Sequence, residues 1–260
     1  MRDEGRASWT IRGVLVPLSR VFAYAVRRGY LAVNPVSALE RSERPKVGKR
    51  AKRVLSADEI RRLLDSATPL YRPILALAVY TGLRQSECLG LHWRDVDFDA
   101  GFVRVRAQLD RSGERVEPKT VEAVRNVVLA PALGRMLRAH RLASRHSGDG
   151  DFVFVNEAGR PFNARNVQAR GFDRAARIAR LDEGAERKAT FHDLRRTFGS
   201  MLIAAGADVV HVSEQLGHAD PAITLRVYAD EFAAHDNADR TRTMLDAAIG
   251  ESLLLDRVTG

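Results

Sequence analysis

The sequence predicts a mainly helical α+β fold with one small three-stranded antiparallel sheet. Three observations predict it. Apolar residues recur at helical spacing along most of the chain, while strand-like stretches are confined to "FVRVRA" (102–107), "RNVVLA" (125–130) and a short "DFVFV". Helix-start signals punctuate the remainder: Ser56 with Glu59, Thr190 with Asp193, and Asp220-Pro221. At 260 residues, with 45% hydrophobic and 29% charged content, the chain can bury a sizeable core as a main domain with a smaller one.

Taken in order, "WTIRGVLVPLSRVFAYAVRRGYL" predicts a helix ending near Gly29, and Asn34-Pro35 predicts the start of a second, short one. Ser56 opens "SADEIRRLLDSA". "YRPILALAVYTG" follows, with Pro73 near its first turn and Gly82 as terminator, and "LRQSECLGL" begins a new helix at once. "DVDFDAG" from Asp95 reads as a turn into a strand. The strands 102–107 and 125–130 flank "GERVEPKT" (113–120), and together these three segments predict the sheet. Helix returns over 131–146, then come "DFVFV" and helices near 163–180, 191–205 and 208–216. Asp220-Pro221 starts the helix containing Tyr228, and a last helix is expected at about 236–249.

Net charge is +9, and residues 1–53 carry all of the excess, with 13 Lys+Arg against 4 Asp+Glu. It is densest in "RSERPKVGKRAKR" (41–53), whose Arg44, Lys46, Lys49, Arg50, Lys52 and Arg53 are candidate contacts to a phosphate backbone. A solvated tether accounts for the composition equally well. No apolar run approaches the length that spans a bilayer, and "MRDEGRASWT" has no signal-peptide core. One cysteine, Cys88, suits a reducing cytosol and sits in an apolar helical pattern as a buried structural thiol. P-loop, dinucleotide and H-E-x-x-H patterns are missing, and seven scattered histidines with one cysteine argue against a metal site. The expected chemistry therefore uses side chains alone, with no cofactor.

"TFHDLRRTF" (190–198) poses a physical problem. His192, Arg195 and Arg196 fall in the first two turns of a helix, where free N–H groups already carry partial positive charge. An anion belonging there would resolve it. On that reading Arg195→Ala would leave fold stability unchanged or slightly improved.

Four further patterns accompany this one: "TGLRQSE" (81–87), "PKT" (118–120), "LGHAD" (216–220) and "TLRVY" (224–228). In this order and spacing the set resembles the catalytic domain of the tyrosine recombinases, the phage integrase family, over about residues 54–250. The resemblance implies a tyrosine recombinase catalytic domain at 54–260, a basic linker at 47–53 and a partial helical core-binding domain at 1–46. Two helices are few for such a domain, so a misplaced start, a natural fragment or a minimal form is expected, with weakened, salt-dependent DNA binding. It also implies roles. Tyr228 is the nucleophile that forms a 3′-phosphotyrosyl link, Arg84 and Arg195 clamp the non-bridging oxygens, and Lys119 is the general acid. His192 assists proton transfer, His218 hydrogen-bonds the phosphate and Glu87 supports Arg84. Arg196 matches no catalytic position and is assigned to DNA phosphate.

Those residue types suit the reaction. Guanidinium forks match the charge on a phosphoryl transition state, and a phenol with a pKa of about 10 needs a positive field or a base to attack at neutral pH. Lys119 is one of five lysines beside 37 arginines, which fits a need for a transferable proton. Each residue also has an ordinary reading: Arg84 as a surface helix start, His218 as a loop histidine, Tyr228 as a half-buried tyrosine. It is the joint occurrence that points to a site-specific recombinase acting on double-stranded DNA as a tetramer, with accessory DNA-bending or directionality proteins as further partners. A non-catalytic DNA-binding fragment and a type IB topoisomerase-like strand relaxer are the alternatives.

Overall fold

The computed structural model describes residues 7–48, 51–118 and 120–233. These residues fall into two compact units, divided between Lys52 and Arg53. In the first unit, helix α1 (Ser8–Arg27) carries Pro17 and has no buried residue, so Trp9, Val21 and Tyr24 stay exposed. The short helix expected after Asn34 is a set of turns instead. Asn34 Oδ1 accepts from the Val36 N–H at 3.0 Å, and its Nδ2 donates to the Ser19 carbonyl at 3.0 Å. A bond from asparagine to the backbone two residues on serves a turn as well as a helix start, and here the segment goes no further than turns.

The second unit is built around α3 (Arg72–Thr81), whose residues 73–79 are all buried. A helix apolar on every side belongs at the centre of a core. It packs against α2 (Ala57–Ser66) and α8 (Phe191–Ala204) and against α5 (Pro131–Ala143). The Ser56 capping box forms as predicted: Oγ accepts from Glu59 N–H at 3.2 Å, and Glu59 Oε2 accepts from Ser56 N–H at 2.8 Å. Leu55 N–H donates at 3.0 Å to the buried Thr197 hydroxyl, which itself donates to the Asp193 carbonyl, tying the start of this unit to α8.

The three-stranded antiparallel sheet exists, with one strand other than expected. Its order is β1 (Val96–Asp97), β2 (Phe102–Val105), then β5 (Arg125–Val128). "GERVEPKT" instead supplies β4 (Arg115–Val116), paired with β3 (Gln108–Leu109) in a separate ribbon. The tight "DFDAG" turn decides this. Asp97 Oδ1 accepts from the Asp99 and Ala100 N–H groups and Gly101 takes φ +72°, which lays β1 along β2's free edge. Val103, Val105 and Val127 face the core, and the Val105–Arg125 register puts Arg125 on that same side. "DFVFV" makes only isolated bridges, at Phe152 and Val155.

After β5 the chain is helical. Asn163 caps α6 (Ala164–Asn166), a π-helical stretch (Val167–Asp173) follows, and α7 (Arg174–Ile178) completes the predicted 163–180 helix. Then come α8, α9 (Val209–Leu216) and α10 (Pro221–Ala233). Asp220 Oδ1 accepts from Ala222 N–H at 2.8 Å at the head of α10. The helix expected at 236–249 lies outside the described residues.

Two turns set the geometry that follows. Between α3 and α4 (Gln85–Leu89), Gly82 has φ +62°, and a methyl group there would meet Phe198 Cδ1 at 2.4 Å. After α9, Gly217 has φ +63°. Gly82→Ala is therefore expected to lose about 2 kcal/mol or more of stability from the left-handed backbone and the overlap together, read as a lower urea midpoint.

Candidate active site

Six segments converge: the turn after α3, the start of α4, strand β5, the start of α8, the loop after α9, and the middle of α10. At the centre is Glu87, buried at 3% exposure. Its Oε2 accepts from the Arg84 backbone N–H at 2.7 Å and its Oε1 from Arg84 NH1 at 2.7 Å. Arg125 grips the same carboxylate with both terminal nitrogens, at 3.2 and 3.0 Å. Burial pushes the Glu87 pKa up. The Arg125 bonds, with the charges of Arg125, Arg84 and Arg195, more than offset this and hold it below the ordinary carboxylate range.

Arg195 enters from the second turn of α8 and is buried at 4% exposure. Its NH1 donates to the Gly82 carbonyl at 2.8 Å and its NH2 to the Leu216 carbonyl. Burial and then Arg84 and Arg125 act against its charge while Glu87 favours it; it remains a guanidinium at neutral pH. These two buried bonds overturn the expectation that Arg195→Ala leaves stability untouched. Relief of repulsion from Arg84 works the other way, but two carbonyls would lose their donors.

The helix start solves its own charge problem in part. Asp193 accepts from the N–H and the hydroxyl of Thr190, at 2.8 and 2.7 Å, and from Arg187 NH1 at 2.9 Å. Arg196 NH1 lies 3.7 Å from the same carboxylate, and its Nε is buried without a hydrogen-bond partner among the described residues. His192 sits at the exposed rim of α8. Partial burial, then Arg195 and Arg196, lower its pKa, with Asp193 acting in the opposite sense.

The α9 helix ends at Gly217, whose carbonyl accepts from Arg84 NH2 at 3.4 Å. His218 follows, and its Nδ1 lies 2.7 Å from the hydroxyl of buried Thr224. Burial and then Arg195, Arg84 and Arg125 push the His218 pKa down to about 4, so the ring is neutral at pH 7. Tyr228 marks a break in α10, with φ −118° and ψ 19°. It is 2% exposed, and its hydroxyl lies so near the α8 backbone that a methyl group on Gly199 would meet it at 2.4 Å. Burial pushes the phenol up to about 12, against the pull of Arg195 and Arg196.

Of the residues expected from sequence, Arg84, Glu87, His192, Arg195, His218 and Tyr228 surround this one site. Lys119 lies outside the described residues, as do Lys49 and Arg50. Arg44 donates to the Ser37 and Leu39 carbonyls, and Lys46 and Lys52 are exposed. Arg53 pairs with Glu59 and donates to the Leu181 carbonyl at 2.8 Å, work internal to the second unit. Sequence reasoning missed Arg125, Thr224 and Gly199 as parts of the site. The available signal for Arg125 was indirect, since a buried carboxylate beside one arginine invites a second cation. Cys88 is buried, with its thiol pushed above the ordinary range by desolvation.

Residues 53–235 match the phage integrase family, and the chain belongs to it. It is 30% identical over 254 aligned residues to a tyrosine recombinase XerC-like protein of Caldanaerobacter subterraneus, covering 87% of this chain and 63% of that protein. It is 35% identical over 208 residues to tyrosine recombinase XerC of Xylella fastidiosa, covering 78% of this chain and 64% of the relative. The chain thus spans a little under two thirds of the length of these two relatives. In fold it is similar to the Tn1549 transposon integrase in complex with a circular intermediate DNA. That match has a TM-score of 0.77 and 22% identity, over 95% of this chain and 82% of the other. A lambda integrase tetramer bound to a Holliday junction gives 0.60 and 22%, over 84% and 61%.

Two measurements follow from the site. Arg195→Ala should lower stability by about 2 kcal/mol in urea unfolding. His218 titrates near 6.5 in an unfolded chain and at about 4 in the folded one. Between those values only the unfolded chain takes the proton, so this contribution is absent above about pH 6.5 and stability falls as pH is lowered toward about 4. His218→Asn should flatten part of that loss in thermal melts, leaving the parts due to His92, His140 and His192, which shift in the same direction.

Proposed function

We propose that this chain is a site-specific DNA recombinase that cuts and rejoins strands through a 3′-phosphotyrosine, without metal or nucleotide cofactor. The observation carrying this reading is the convergence of Arg84, Arg195, His192 and His218 on one cationic pocket beside Tyr228. Arg84 and Arg195 hold the non-bridging oxygens of the scissile phosphate, where negative charge builds in the transition state. The Tyr228 oxygen bonds to phosphorus as the P–O5′ bond breaks. The departing O5′ takes a proton from Lys119, and the phenol proton passes to His192. The reverse attack by a 5′-hydroxyl of the partner strand restores the phosphodiester and frees Tyr228, so no external energy source is consumed.

The electrostatics support a site completed by its substrate. A phosphodiester placed among Arg84, Arg195 and the histidines supplies the anion that favours imidazolium, raising both histidine pKa values toward neutrality. Attack also requires the Tyr228 hydroxyl to leave Gly199, and the break in α10 at that residue is where such a movement would turn. The proposed partners are double-stranded recombination sites and three further copies in a tetrameric synapse, with DNA-bending or directionality proteins. The basic segment 41–53 adds a phosphate grip of lower specificity. No helix among the described residues is long and apolar enough to cross a membrane. The proposed place of action is the cytoplasm.

The test is covalent capture. The chain is incubated with a pool of nicked duplexes whose arms are randomised, and adducts are isolated under denaturing conditions and sequenced. Wild type should yield an adduct on a defined sequence and Tyr228→Phe none. DNA retention without any wild-type adduct would instead support the non-catalytic fragment, and relaxation of plasmids lacking partner sites the topoisomerase-like alternative.

A further inference from the structure

We infer that Arg125 is a positioning residue for the arginine clamp, holding Glu87 and the His218 loop so that Arg84 meets the phosphate in a fixed orientation. The inference rests on the recombinase reading. Two arginines share Glu87, but they differ in access. The Arg84 side chain is 38% exposed and the Arg125 side chain 6%. Arg84 can therefore meet a ligand, and Arg125 acts only through its neighbours.

Its neighbours belong to three elements. NH1 and NH2 donate to the two Glu87 oxygens on α4, Nε donates to the Gln215 carbonyl on α9 at 2.9 Å, and NH1 donates to the Ala123 carbonyl ahead of β5 at 3.1 Å. Gln215 answers across the same seam, its Oε1 accepting from the Val128 N–H at 3.2 Å. Gly217 lies directly over the guanidinium, where a methyl group would meet Arg125 NH1 at 2.8 Å and Cδ at 3.0 Å. The glycine of "LGHAD" is thus required twice, for its left-handed backbone and for this approach.

A lysine at 125 keeps the charge but offers a single point of attachment, whereas these acceptors lie in three directions. Glu87 would then be free to turn toward Arg84, drawing it from the phosphate, and the Gly217–His218 loop would lose its tether. A displacement on the order of 1 Å in such a group costs about 100-fold in rate.

The experiment uses the full chain and the duplex recovered by covalent capture, in two forms: natural, and with sulfur replacing the bridging 5′ oxygen so that departure needs no proton. Arg125→Lys should cut the rate of adduct formation by about 100-fold, change DNA affinity by less than about threefold, and gain nothing from sulfur. An unchanged rate overturns the inference, and so does full recovery with sulfur, which would place Arg125 on the leaving-group side. Should Arg125→Lys fail to fold, Arg125→Gln combined with Glu87→Gln removes the unpaired buried charge. Restored melting temperature with a rate still depressed supports positioning, and restoration of both overturns it. A wild-type chain that forms no adduct brings down the recombinase reading and this inference together, whereas active wild type with unaffected variants brings down this inference alone.

Discussion

The buried carboxylate of Glu87 makes the rest of the site possible. Three guanidinium groups brought into one pocket repel each other, and in a low-dielectric interior that repulsion is large. A single anion gripped by two of them, with the third close by, neutralises part of the charge and leaves a positive remainder. A buried carboxylate is itself costly unless its lone pairs are filled, and Glu87 fills them with one backbone N–H and two arginines. The pocket is therefore stable enough to fold and still short of negative charge. That shortage is the property a phosphate reader needs.

Local backbone chemistry delivers these groups to one place. The turn at Gly82 ends the most apolar helix of the unit and points the next residues back across it, placing Arg84 and Glu87 over the start of α8. Asp193 caps α8 and absorbs the charge of Arg187, so the helix start tolerates Arg195 one turn later. The strand β5 brings Arg125 in from the opposite side because its register with β2 points that side chain coreward.

Legibility in the sequence followed the range of the forces involved. The capping boxes, the glycine terminators and the proline-started helices were readable because each is decided within about four residues. The third strand was not, because two segments competed for one edge of β2 and a hydrogen-bonded aspartate turn favoured the nearer one. Asn34 failed because the bond from the Val36 N–H to its Oδ1 suits a helix start and a turn alike, while its amide is also drawn back fifteen residues to Ser19. In the site, motif spacing singled out Arg84, Glu87, His192, Arg195, His218 and Tyr228, which the fold brings near one another. It did not reveal Arg125 or Thr224, which meet their partners 38 and 6 residues away through side-chain geometry alone. Nor did it reveal that Arg195 is fastened from both sides. A charged residue at a helix start reads as exposed until the elements packed against it are known.

The fastening itself has an evolutionary corollary. Arg195 is held by the carbonyls of Gly82 and Leu216, and Arg84 by that of Gly217, so the acceptors are main-chain atoms. Gly82 and Gly217 are fixed as glycine by their positive φ and by the closeness of Phe198 and Arg125, so the freedom lies in the side chains beside them. Exposed side chains beside these turns can vary without unfastening the two guanidinium groups. A change of backbone course, as an insertion or deletion in either turn would produce, reaches them, and so does a side chain placed at either glycine. Change at the surface and preservation of the guanidinium pocket are thereby assigned to different parts of the same polypeptide.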